Sequence, residues 1–556
     1  EDRDTYDSGN TYGEGEDADK HSKADAEAHT VVHITKPGTY RISGKLSAGQ
    51  IAVDLGKDAK TDPEAVVTLI LDQADITCSV APGIIFYNVY ECDTKWVEAD
   101  SAEDDDEVKY EASATQDTAA AGANIILADG TTNTVNGSYV AKIYKDNDEE
   151  KKLHKYDGAF YSKMSMNVTG ESAGDGVLNI IAANEGLDTE MHLTINGGII
   201  NIQSADDGIN TNEDGVSVTT INGGQLHIVA GLGAEGDGID SNGYLVINGG
   251  VVIANAKPQS DSGLDSDMGS YINGGYVLAT GSTMDWAESD SDQVTMNLQF
   301  ASRRSKNEAI VVTDTEGKVV FAYDPDQDET TGSNNRGYSG AVLSTPELKV
   351  GSDYYVYVDG EVTGTDVNGL YDISTITAYT GGKKLSYTGT DVQAGPGGFG
   401  MGGPGGEGFD PGSMEPGERP EMPEGMEPGE IPEMPEGMEP GERPEMPEGM
   451  EGGGRGRGNG NGNGEGFKGG ERPEMPEGAD AQAGASKAAP EGGTDAQAGA
   501  SKAASEGGTD AQAGASKVAP GSEGGMTTVE ASDVFHMTDK VNAFSGISEA
   551  AVETTI

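Results

Sequence analysis

Basic side chains are scarce in this 556-residue chain: 35 Lys and Arg stand against 96 Asp and Glu, a net charge of −61. Nucleic acid and anionic membrane surfaces are held by clustered Lys and Arg, so neither is expected as a direct partner. A polyanion bridged by divalent cations stays compatible with this charge. Cysteine is nearly absent. Cys78 and Cys92 are too few for a disulfide framework or a four-thiolate zinc site. They leave two readings, one short bridge in an exported protein or two buried thiols. No run of 18 apolar residues occurs, so no membrane-spanning segment is read. The stretch from Glu1 is acidic and polar, without a basic, apolar leader. Helical periodicity of useful length is missing ahead of the tail, and the two tryptophans, Trp96 and Trp286, lie outside the clear repeats. The tyrosines between 139 and 161 serve equally well as packing, so sequence places no aromatic platform.

What the chain has instead is glycine, β-branched residues and repetition. From His29 onward short β-type runs (31–34, 39–42, 51–54 and 66–71) are separated by turn formers such as Pro37-Gly38 and Gly56. Ile-Asn-Gly-Gly recurs at 195–198, 221–224, 247–250 and 272–275. Out of phase with it runs a second element: Gly186-Leu187-Asp188, Gly208-Ile209-Asn210, Gly238-Ile239-Asp240 and Gly263-Leu264-Asp265. A fixed period of this size signals stacked supersecondary units. Each period carries three short β-runs, in the third copy 238–242, 244–247 and 251–254. Their alternation points Leu193, Ile195, Ile200, Ile202, Leu226, Ile228, Leu245 and Ile247 inward, and Thr194, Asn201 and His227 outward. Three strands per turn with glycine corners predict an all-β parallel β-helix over 29–285.

Four further segments frame that coil. Residues 1–28 read as a flexible acidic lead-in, while 98–120 and 142–155 read as inserted loops. Residues 286–393 carry β-runs without the period (294–300, 310–313, 319–323, 354–358, 373–379) and predict a smaller β-sandwich-like domain. Residues 394–526 are low-complexity repeats rich in Pro, Gly, Met and Glu, then Ala, Gly and Ser; they cannot bury enough apolar surface to fold and are expected to be disordered. Strand alternation returns after them, so 527–556 is expected to complete the 286–393 domain.

In such a coil, equivalent side chains of successive turns lie about one strand spacing apart. Asp188, Asn210, Asp240 and Asp265 then form a column of oxygens, Glu190, Asn212, Asn242 and Asp267 a parallel one, and Asp206, Asp207 and Asp237 border them. Two carboxylates ~5 Å apart repel by about 1 kcal/mol in water and about 3 at an effective dielectric near 20. Proton sharing or hard cations relieve that, and an all-oxygen set of Asp, Glu and Asn suits calcium far better than zinc. The competing reading is solvated acidic turns before glycine. Asn196, Asn222, Asn248 and Asn273 read as a structural amide ladder at left-handed corners. Catalysis is the weaker reading and no catalytic residue is assigned. Asp206-Asp207 superficially resembles a hydrolase pair, but 164–256 contains no Lys or Arg to serve a lyase, and His192 and His227 are expected as isolated surface histidines.

The phrases at 38–44 (Gly-Thr-Tyr-Arg-Ile-Ser-Gly), 127–134 (Leu-Ala-Asp-Gly-Thr-Thr-Asn-Thr) and 157–163 (Asp-Gly-Ala-Phe-Tyr-Ser-Lys), with the repeat alternation, resemble a bacterial carbohydrate-binding β-helix family of clostridial cell-surface proteins. That family is similar in fold to polysaccharide lyases. The resemblance covers about residues 30–285 and a β-rich region after it. It implies a right-handed coil, an extracellular or cell-surface location with attachment to the cell envelope, and calcium in the helix. Binding of cellulose or acidic pectic chains is implied without established catalysis. Asn210 stands where the family pattern has Asp. Beside a carbohydrate-binding protein stand two alternatives, a pectate hydrolase or lyase and a structural adhesin or matrix protein.

Overall fold

The computed structural model describes residues 23–100, 110, 113–140, 156–282, 285–304, 308–324, 337–390 and 531–550. The repeats build three parallel ladders. In the first, the strands Thr30–Ile34, Gly49–Asp54, Ile84–Asn88, Gly158–Ser162, Glu185–Thr189, Ile209–Thr211, Ile239–Ser241 and Leu264–Ser266 pair side by side in that order. The second runs through Met166–Gly170, Leu193–Ile195, Val218–Ile221, Tyr244–Ile247 and Gly269–Ile272. The third runs through Val177–Ala182, Ile199–Ser204, Gln225–Val229, Val251–Asn255 and Tyr276–Gly281.

Register follows the sequence repeat: Ile195, Ile221, Ile247 and Ile272 are consecutive partners. Because side chains alternate, their inward positions stack into one column of a shared core that also holds Leu187, Ile209, Ile239, Ile202 and Ile228. Each Leu or Ile buried there contributes about 1.5–3 kcal/mol relative to exposure, and the stack repeats that contribution rung after rung. The corner between the second and third ladders is made by the second glycine of each Ile-Asn-Gly-Gly. Gly198, Gly224, Gly250 and Gly275 have φ of +90, +88, +87 and +92°. A Cβ on Gly224 would lie 2.7 Å from the carbonyl oxygen of Gly198, so both the conformation and the close stacking demand glycine there.

The last coil strand, Tyr276–Gly281, pairs antiparallel with Gly340–Ser344, which in turn pairs antiparallel with Thr295–Phe300. The sheet is therefore continuous from the coil into the C-terminal β-region. Val541–Glu549 lies parallel beside Thr295–Phe300, and Phe535–His536 pairs with Asp353–Tyr354. Ile253 and Leu278, on the outer side of the third ladder, join a second core with Met296, Val356, Phe535 and Phe544.

Some local expectations change. Lys23–Glu27 forms a short helix within the expected flexible lead-in, and Thr94–Asp100 forms another. Residues 373–375 make a 3-10 turn instead of a strand, because Asp372 Oδ1 accepts from the backbone N–H and hydroxyl of Ser374, a local bond that competes with sheet pairing. Cys78 and Cys92 are unbridged. Among the described residues, no helix is long and apolar enough to cross a membrane. The predicted loop 142–155 and the low-complexity stretch 394–526 lie outside the described residues, and so do residues 1–22 of the lead-in and 101–109, 111 and 112 of the predicted loop 98–120.

Candidate functional site

The first ladder sets the acidic edge. Its inward residues Leu187, Ile209, Ile239 and Leu264 are consecutive register partners, so the next residues, Asp188, Asn210, Asp240 and Asp265, stack on its outer side behind Tyr161. Two positions before each inward residue the same register aligns Glu185, Asp207, Asp237 and Ser262. These groups brace the stack. Asp207 Oδ1 accepts the backbone N–H of Asp237 at 2.6 Å, and Asp237 Oδ1 accepts that of Ser262 at 2.5 Å. Asn210 Nδ2 donates to Glu185 Oε1 at 3.2 Å, and Asn212 Nδ2 donates to Asp188 Oδ1 at 2.7 Å. In the neighbouring column, Glu190 accepts from the Tyr161 hydroxyl, and Asn242 Nδ2 donates to the Asn212 carbonyl at 2.9 Å. Asp267 ends that column, while Asp206 borders it with its backbone carbonyl accepting from Gly231 and Ser204.

Charge and burial act together here. The carboxyl of Asp188 is held well above the ordinary carboxylate range, first by burial and then by Glu185, Asp157 and Glu190. Asp207 is raised in the same way, by burial and then Glu185, Asp240 and Asp237. Burial and the Asp265 charge push Asp237 up to about 8 and, with Asp267, Asp240 up to about 7. Asp285, whose Oδ2 accepts the Ser266 N–H at 2.9 Å, is pushed up to about 9 by burial and by Asp265. Among the described residues, Asp188, Asp207, Asp237, Asp240, Asp265 and Asp267 have no Lys or Arg partner. A fixed row of anions without a fixed cation binds protons or mobile cations more tightly than separate carboxylates do.

The donor set is oxygen throughout. Asp188 Oδ2 and Asn210 Oδ1 are buried without a hydrogen bond, as acceptors awaiting a positive group would be. That fits a hard cation. Among the described residues, no three His, Cys, Asp or Glu side chains form a ready-made metal cage, so an ion here would draw also on Asn210, Asn242 and backbone carbonyls. Asp157, Glu185 and Asp285 belong to the edge although sequence reasoning passed over them. Glu185 precedes Gly186 just as Asp207 precedes Gly208, a signal present in the repeat. Asp285 has no such signal, because it arrives where the chain leaves the coil.

The asparagines 196, 222, 248 and 273 form a ladder on another corner, each amide donating to the one before it at 2.9 Å, with Asn273 Oδ1 accepting the Asp292 N–H at 3.1 Å. The left-handed residue at each corner is the second glycine, not the asparagine.

The histidines depart from expectation. His192 is 1% exposed and His227 2% exposed, so neither is a surface residue. His192 Nδ1 accepts the Val218 N–H at 3.1 Å, which leaves the proton on Nε2, 3.2 Å from Asp93 Oδ2. Burial opposes the charge of Asp93, but hydrogen bonds from His192 and Tyr110 outweigh it and hold its carboxyl down at about 2. Glu91 beside it accepts from the N–H and hydroxyl of Ser165 at 2.7 and 2.8 Å. Cys92, pushed up to about 12 by burial and Glu91, is an inert thiol.

A family model described as "Carbohydrate-binding domain-containing protein" matches residues 28–121 and 107–325 of this chain. Among solved structures, the chain is similar to the polysaccharide lyase-like protein from C. thermocellum in its gadolinium derivative. The two are 22% identical over 44% of this chain and 83% of that one, with a TM-score of 0.26. Comparison with curated proteins gives no match.

Proposed function

The chain belongs to the family of carbohydrate-binding domain-containing proteins, and on that premise we propose that it is an extracellular, non-catalytic protein that binds plant cell-wall polysaccharide, cellulose or acidic pectic chains. The family match over 28–325 is the observation that carries this reading. The parallel ladders wind, in this proposal, as a right-handed parallel β-helix over 29–285. The described residues of 286–393 and 527–556 form the smaller β-domain, and the protein is attached to the cell envelope.

Calcium bound along the coil is the second part of the proposal. Asp188, Glu190, Asp206, Asp207, Asn210, Asp237, Asp240, Asn242, Asp265 and Asp267 would hold it. The support is the oxygen-only edge with its raised carboxyls and the unbonded oxygens of Asp188 and Asn210. When bound, the ion would neutralise the stacked carboxylates and could bridge this anionic chain to a uronate. The test is a polysaccharide array run with and without chelator. Retention on plant polysaccharides with no release of reducing ends or unsaturated uronides is expected; release of either product would replace this reading with an enzymatic one.

A further inference from the structure

The outer face of the second ladder changes character along its length. Asn167, Thr194, Thr220, Val246 and Tyr271 are consecutive register partners on it, and Val218, Tyr244 and Gly269 are consecutive partners beside them. At the early end the face is sealed. Thr118 Oγ1 bonds Asn167 Oδ1 at 2.8 Å and Thr194 Oγ1 at 2.7 Å, while Asp93 meets His192. All of these side chains are buried. Two rungs later the seal has ended. Tyr244 and Tyr271 are only half-buried, their ring centroids 6.1 Å apart and their planes inclined by 47°. Neither hydroxyl has a hydrogen-bond partner among the described residues.

A carboxylate is built in beside the rings. Gly269, the register partner of Tyr244, has φ +130°, and a Cβ there would lie 2.9 Å from Glu288 Oε1 and 3.0 Å from its Cγ. The missing side chain at 269 is thus the space into which Glu288 lays its acid. The Glu288 backbone is fixed by its N–H on the Ser270 carbonyl at 2.7 Å and by the Ser291 N–H on its own carbonyl at 2.9 Å. Asp290 and Glu288 both act on the Tyr271 phenol. The face therefore offers two ring surfaces, two free phenolic hydroxyls and acidic acceptors, with no cation among the groups just named.

We propose that Tyr244 and Tyr271, with Glu288 beside them, form a shelf for a neutral, hydroxyl-rich glycan chain. The apolar C–H face of a pyranose covers a tyrosine ring, and its hydroxyls donate to Glu288 and to the phenolic oxygens. A uronate would bring a second anion against Glu288 and Asp290, so polyuronate is disfavoured. The proposal rests on the carbohydrate-binding reading and narrows it to one face and one charge class of sugar.

Calorimetry of the full chain with cellohexaose, xylohexaose, mannohexaose and polygalacturonate tests it, alongside Tyr244→Ala, Tyr271→Ala and their double variant. At least one neutral oligosaccharide is expected to bind, each single alanine variant to weaken that binding at least tenfold, and Tyr271→Phe, which keeps the ring and loses only the phenolic oxygen, to weaken it by less. Should an alanine variant lose its wild-type melting temperature, Tyr271→Leu keeps the apolar volume and should show the same loss of binding. A folded double variant that binds as tightly as wild type overturns the shelf. So does a wild-type chain that takes polygalacturonate alone, which leaves the carbohydrate reading standing. Wild-type protein that binds none of the four probes overturns the shelf and that reading together.

Discussion

His192 Nε2 and Asp93 Oδ2 lie 3.2 Å apart across 99 residues of sequence, with both side chains almost wholly buried. The pair ties the segment after Val89 to the coil's second ladder. His192→Ala leaves the Asp93 charge short of one partner in a site that water does not reach. A loss of about 2–4 kcal/mol is expected, read as a lower urea midpoint with unchanged slope. Asp93→Asn is expected to destabilise as well, because one amide oxygen cannot replace both Oδ1, which accepts the Lys95 and Trp96 N–H groups, and Oδ2, which faces His192.

Calcium should raise the thermal midpoint of the wild-type chain, and chelation should lower it by several degrees. Asp188→Asn and Asp240→Asn together should shrink that difference. A melt that is the same with calcium and with chelator, followed by calorimetry, would remove the metal from the proposal.

The chelated protein should also respond to pH in a definite direction. Asp237 and Asp240 titrate near 8 and 7 in the fold, above the ~3.9 of an unfolded Asp. A group raised in this way binds its proton more tightly when folded. Its stabilisation is complete below about pH 4 and is lost as pH rises through 7 and 8. Without calcium, the midpoint at pH 5 is expected to exceed that at pH 8 by about 5 °C or more. With calcium in excess the gap should narrow. Asp93 has the opposite sign: its carboxyl is depressed to about 2, so its contribution is present above pH 4 and is lost only as pH falls toward 2.

Asn222 donates to Asn196 and accepts from Asn248, both at 2.9 Å and both at the surface. Asn222→Ala removes two exposed hydrogen bonds and buries no unpaired group of consequence. About 1 kcal/mol is the expected cost, a much smaller shift than for the buried His192. Equal losses for the two variants, measured by denaturant melts, would contradict the assignment of the ladder to the surface.

The repeat made the acidic edge legible because parallel ladders convert sequence period into spatial register. Once Leu187, Ile209, Ile239 and Leu264 align, the neighbouring Asp188, Asn210, Asp240 and Asp265 must align as well. Tyr244 was readable by the same logic, since Leu245 points inward and its neighbour must point out. What period cannot report is the cover. His192 reads as an isolated surface histidine, and only the fold brings Asp93 over it. Asp285 likewise joins Asp265 after the repeat has ended, where no spacing rule applies. Residues 373–379 have the apolar content of a strand, yet Asp372 turns 373–375 into a 3-10 turn with two short-range bonds, and strand pairing resumes only at Ala378–Thr380.

Val541–Glu549 is held parallel to Thr295–Phe300, and the Tyr387 N–H donates to the Ser532 carbonyl at 2.9 Å. The described residues on either side of the stretch 391–530 are therefore paired with each other. A protease that cuts anywhere inside that stretch severs the chain without separating its pieces: the C-terminal fragment stays clamped in the sheet. Nicked material should migrate as two bands after denaturation yet weigh as one particle in native mass spectrometry, and it should still bind its ligand.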